Sequence, residues 1–139
     1  MEKIKKVYSL FFYKLYCLFK SQSEDGWEDW KALVVIGGLQ GLLIIEFYTW
    51  CDIIFKNNNI EFSSPRIVIA LIAIIITAFN YYVLLYQDRW RQYEEEFKQY
   101  SDEKNKAINL LVFFFILLDL GSLIFAYYQM SLIDWSKYR

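Results

Sequence analysis

The chain contains no histidine, a single proline and only five glycines among 139 residues. Without histidine, the side chain most often used as a general base near neutral pH is missing. No glycine-rich phosphate loop, nucleophile elbow or cluster of metal-ligand residues takes its place. Two carboxylates could in principle serve as acid and base, but no aqueous pocket or substrate-binding domain is apparent, so no enzymatic role, cofactor or metal is expected. Cysteine is nearly absent as well: Cys17 and Cys51 are too few for a disulfide framework, show no CxxC or metal spacing, and read as small apolar fillers. Net charge is also small, -1 from 15 basic and 16 acidic residues, which excludes a global electrostatic pull toward nucleic acid or acidic substrates.

What the chain has in excess is apolar surface, with 57% hydrophobic and 21% aromatic residues. It falls into three long stretches. Residues 32–55 are interrupted only by Gln40, Glu46 and Asp52, and match the roughly 20 residues that a bilayer-spanning helix needs. Residues 66–86 carry no charge after Arg66, and Ser64 and Pro65 precede them as an N-cap and first helical residue. The third stretch, 107–130, has the single charge of Asp119. A soluble bundle would show a polar stripe on each helix; these segments are apolar on every side. The expected fold is therefore an all-α integral membrane domain with three transmembrane helices and the lipid bilayer as its main partner.

Basic residues set the expected direction. Lys3, Lys5, Lys6, Lys14, Lys20 and Lys31 precede the first span, and Arg89, Arg91, Lys98, Lys104 and Lys106 lie between the second and third. Only Lys56, Arg66, Lys137 and Arg139 fall on the other side, a ratio of eleven to four that places the N-terminus in the cytoplasm and the C-terminus outside. Residues 1–22 resemble a signal peptide only superficially, because Lys14 interrupts the apolar run and no small-residue cleavage site follows. On a helical wheel Ile4, Val7, Tyr8, Phe11, Phe12 and Leu15 share a wide aromatic face, with lysines opposite. That pattern suits an amphipathic helix in the inner headgroup layer, or one packed on the cytoplasmic ends of the spans. Asp25 and Glu28 have capping-box spacing at the start of the first span. Trp27, Trp30 and Trp90 at the inner side and Trp135 at the outer side are placed as interface anchors.

The connections differ. Asn57 to Ser64 reads as a tight external turn. In the segment 87–106, Trp90, Tyr93, Phe97 and Tyr100 recur at helical steps. The second span is thus expected to continue as a cytoplasmic helix, turn near Ser101 and Asp102, and return as the third. Its aromatic stripe can pack on the N-terminal helix or receive a partner. The tail, 131–139, is expected outside the membrane.

Polar residues inside the spans are expensive and therefore informative. Glu46 lies 14 residues beyond Ala32 and Asp119 lies 12 beyond Ala107, so both fall near mid-membrane, about 20 Å from the inner ends at 1.5 Å per residue. Thr77 and Asn80 of the antiparallel second span come to similar depth. The expectation is an intramembrane cluster of Glu46, Thr77, Asn80 and Asp119. No cation lies within the apolar stretches, so neutral carboxylic acids are expected there. Three uses stay open: a polar clasp between helices, a contact for a partner's membrane helix, or a protonatable site on an ion path. Gly37 and Gly41 form a GxxxG motif, with Gly121 and Ser122 as a second small-residue site, either of which lets a helix approach closely, from within the chain or from another copy.

The strings FFYKLYCLFK, EDWKALVVIGGLQ and NYYVLLYQDRWRQYEEEFKQ resemble a loose group of small three-span bacterial membrane proteins found among Bacteroidota. That resemblance implies a Gram-negative inner membrane and transfers no functional residue. The expected role is a non-enzymatic inner-membrane interaction protein, such as an immunity or accessory subunit that binds a membrane-acting partner through its helices. The alternative is a self-assembling oligomeric channel or membrane-disrupting effector.

Overall fold

A computed structural model describes residues 2–22, 26–55 and 65–134. Asp25 of the capping box, the asparagine turn through Ser64, and Trp135 with the rest of the tail lie outside the described residues. The described residues are all-helical, with no strand among them. The elements are α1 (Glu2–Gln22), α2 (Glu28–Phe55), α3 (Pro65–Asn80), a π-helical turn (Tyr81–Leu85), a 3-10 segment (Tyr86–Tyr93), α4 (Glu94–Lys98) and α5 (Asp102–Ser131).

Three stretches are long and apolar enough to cross a membrane: Glu28–Phe55, Arg66–Lys98 and Asp102–Ser131. Helix α2 starts after Gly26, whose φ of +79° turns the chain and whose N–H donates to the Glu28 carboxylate at 3.2 Å. Its 28 residues extend about 42 Å at 1.5 Å per residue, beyond the roughly 30 Å of a hydrocarbon core. Helix α5 begins where Ser101, its N-cap, accepts from the Lys104 N–H. This frees Asp102 and Glu103 to sit at the positive end of the helix dipole.

Helix α2 is the hub, with α1, α3 and α5 packed around it. Ala32 is small and fully buried, and so lets Phe12 and Leu15 of α1 close against Leu33 and Ile36. The outer surfaces are apolar: Ile67, Ile69 and Ile74 of α3, and Leu110, Leu111 and Phe114 of α5, are each more than 60% exposed. Apolar faces of this extent are expected to meet lipid or another protein rather than water.

The aromatic stripe packs on α1. Trp90 is fully buried between Tyr16, Phe12 and Tyr13, with ring centroids at 4.9, 5.4 and 6.1 Å, and Phe97 meets Tyr13 at 5.5 Å. Trp90 is thus no interfacial anchor, a correction forced by this cage: a ring enclosed by protein cannot partition to headgroups. The ion pairs Lys6–Glu96 at 2.6 Å and Arg91–Asp29 at 3.6 Å tie the same cap to α1 and to the start of α2.

A second correction concerns the continuation of the second span, which is not one smooth helix. After Asn80 the backbone widens into the π-helical turn, and at Gln87 and Asp88 it turns left-handed, with φ of 57° and 52°. For residues bearing a Cβ that conformation costs about 1–2 kcal/mol each. The cost is offset on both sides of the break. Arg89 donates to the Tyr82 carbonyl at 3.1 Å and lies 4.3 Å from the Tyr82 ring, while Trp90 gains its cage.

Trp90→Ala should therefore cost about 3–5 kcal/mol and unseat α1. In a Cys51→Ser background, maleimide labelling of the partly buried Cys17 should accelerate many-fold. Unchanged labelling would mean that α1 is held without this cage.

Candidate functional site

Polar residues of the three long apolar helices take part in two separate constellations, one of them completed by Tyr8 of α1. The first is a closed ring of three hydrogen bonds. Tyr8 donates its O–H to Asn80 Oδ1, Asn80 Nδ2 donates to Gln40 Oε1 at 2.8 Å, and Gln40 Nε2 donates to Tyr8 Oη at 2.8 Å. Each side chain gives one bond and accepts one, and each comes from a different helix: α1, α2 and α3. Asn80 is fully buried. Burial pushes the Tyr8 phenol up to about 12, softened by its bond from Gln40, so Tyr8 keeps its proton and its role as donor through the physiological range. Gly37 lies directly beside the ring: a Cβ there would make ordinary van der Waals contact, 3.5 Å from Ile76 Cγ2 and 3.7 Å from Asn80 Nδ2.

The second constellation joins α2 to α5. Ser122 donates to Glu46 Oε2 at 2.8 Å, and Trp50 Nε1 donates to Glu46 Oε1 at 3.4 Å from one turn further along α2. Ser122 also lies 3.1 Å from the Asp119 carbonyl, one turn back on α5. Asp119 itself is 1% exposed, and neither of its carboxylate oxygens receives a hydrogen bond from the described residues.

Of the expected cluster, Glu46 and Asp119 belong together, and Asn80 and Thr77 do not join them. Asn80 turns to Gln40 and Tyr8. Thr77 is exposed, and its hydroxyl donates to the Ala73 carbonyl at 2.8 Å. The reason is angular. Residues advance about 100° each around a helix, so Gln40 and Glu46, six positions apart, face directions about a third of a turn from one another. One side chain of α3 cannot reach both.

Among the helical glycines, Gly37 is the one whose added Cβ would meet another helix within 4 Å among the described residues. A Cβ at Gly38, Gly41 or Gly121 would meet nothing within 4 Å, so Gly121 marks no close approach, while its neighbour Ser122 acts through its hydroxyl. Beside the glycines a groove of about 440 Å³ opens between α2 and α3, lined by Gly37, Gly38, Gly41, Ile69, Ala73 and Thr77. Trp30 stacks on Tyr81 at 6.1 Å, and Trp27 is 62% exposed. Sequence reasoning missed Tyr8 and Gln40, although Gln40 was visible as the polar residue framed by glycines. No set of three or more His, Cys, Asp or Glu side chains able to hold a metal occurs among the described residues.

No known family model, curated protein or solved structure matches the chain.

Breaking the ring leaves buried polar atoms unpaired, which costs about 1–3 kcal/mol per group. Tyr8→Phe and Gln40→Leu should each lower the thermal midpoint in detergent. The double variant should lose much less than the two losses added together, because a broken ring can be broken only once. Additive losses would show that the three bonds act independently.

Proposed function

We propose that this chain is a three-span inner-membrane protein, N-terminus cytoplasmic, that acts by binding a helix of another membrane protein and catalyses nothing. The observation that carries this reading is the groove between α2 and α3. Its glycines, Gly38 and Gly41, present bare backbone: a Cβ added at either would meet no atom of another helix within 4 Å among the described residues. In lipid, helix association is driven by close van der Waals approach, and small residues are what permit it. Gly37 is used internally against α3; Gly38 and Gly41 are left for an occupant from outside.

Charge placement supports the orientation. Lys6, Arg91, Glu96 and Asp29 gather in ion pairs where α1 meets α4 and the start of α2, on the side expected to be cytoplasmic. There α1 packs along the inner part of the spans, with Ile4 and Val7 exposed in an apolar groove that Leu43 and Phe115 also line.

A pore assembled from several copies is the second reading, favoured by the acidic pair at mid-span. Against it, Asp119 is turned into its own bundle rather than toward a neighbouring copy. Purified chain in liposomes would decide this: conductance altered by Glu46→Gln would support a pore, and tight vesicles would remove it.

The leading reading is tested by extracting the tagged full chain from its native membrane in mild detergent. A membrane protein should be retained in fixed stoichiometry with the wild type. It should be lost with Gly38→Leu or Gly41→Leu, variants whose added side chains point into open space and should leave helical content unchanged. Recovery of the wild-type chain alone would overturn it.

A further inference from the structure

The carboxyls of Glu46 and Asp119 differ in one respect that the partner-binding reading does not use. Glu46 has a hydrogen-bond donor for each oxygen, Ser122 Oγ at 2.8 Å and Trp50 Nε1 at 3.4 Å. Asp119 is 1% exposed and has a donor for neither among the described residues. A carboxylate is an acceptor only and requires donors wherever water is excluded, whereas a carboxylic acid is itself a donor. An isolated buried carboxylate costs so much that such a group neutralises instead. Among the described residues, Lys6 is engaged with Glu96, and Lys14 donates to Asn105. Lys3 lines a separate apolar groove with Leu43 and Phe115 and forms no ion pair among the described residues. Ser122, 2.8 Å from Glu46 Oε2 and 3.1 Å from the Asp119 carbonyl, brings the two acidic residues to the same stretch of the α2–α5 interface, where a second negative charge would sharpen the conflict.

We propose that the α2–α5 interface holds a proton-binding site in which Asp119 carries the proton and Glu46, with its two donors, is the anion. The ligand is a single proton and the balance is simple: Asp119 keeps its O–H bond, and the pair carries one negative charge instead of two. Occupancy of this site permits α5 to lie against α2 at mid-span. Removing the proton would set two anions facing each other in a closed interface and force the helices apart, so the pair couples proton binding to helix packing.

Infrared spectroscopy reads the proton directly. The full chain is reconstituted in lipid vesicles at mildly alkaline pH, where exposed carboxyls are ionised and contribute no carboxylic-acid carbonyl band. A protonated-carboxyl band that shifts on exchange into heavy water should be present in the wild type, lost in Asp119→Asn and retained in Glu46→Gln. No such band in the wild type would overturn the proposal, and this outcome needs no variant to fold. A band lost in Glu46→Gln and retained in Asp119→Asn, or one diminished in both, would overturn the assignment of the proton to Asp119. As a second measurement, a lipid-soluble carbodiimide, which reacts with protonated carboxyls, should add to the wild-type chain at Asp119; an adduct mapped to Glu46 would equally overturn it.

Discussion

Three hydrogen bonds passed in a circle between Tyr8, Asn80 and Gln40 determine how α1, α2 and α3 sit together. In a membrane the apolar effect does little to choose among helix arrangements, because a leucine facing lipid is as well solvated as one facing another helix. Direction and register must come from groups that lipid cannot satisfy. The ring is such a group, and it is complete: no member has its ring-bonding atom left over, and any rotation of α3 by one residue would carry Asn80 out of reach.

A second fastening sits on the far side of α2. Glu46 reaches α5 through Ser122, so the hub helix is tied to α1 and α3 on one face and to α5 on another. Between these lies the glycine groove. The spans are thus held by few, directional contacts and leave most of their apolar surface outward, an arrangement consistent with a protein whose working surface is the outside of its bundle. The cap depends on a different force, the burial of Trp90 among α1 rings, which also gives the left-handed break at Gln87 and Asp88 its return.

Much of the architecture was legible because it follows from one-dimensional properties. Run length located the three long helices, and helical spacing of Trp90, Tyr93 and Phe97 located the stripe that meets α1. Depth arithmetic likewise brought Glu46 and Asp119 to one level. It failed for Asn80 and Thr77, since depth says nothing about azimuth. Counting six positions from Gln40 to Glu46 would have separated the two constellations. Tyr8 was hidden for another reason: in an amphipathic helix its ring counts as apolar and its hydroxyl goes unnoticed. The break after Leu85 had no signal at all, for neither Gly nor Pro marks it, and its cause lies in where Trp90 must go.

The ring also imposes an order of assembly. Tyr8 and Asn80 are 72 residues apart, and at roughly 5–20 residues per second the ribosome needs several seconds after making the first to supply the second. Throughout that interval the aromatic face of α1 is without its partner, since Trp90 is later still. Helix α1, made well before α3 and Trp90, accordingly finds its place only after them.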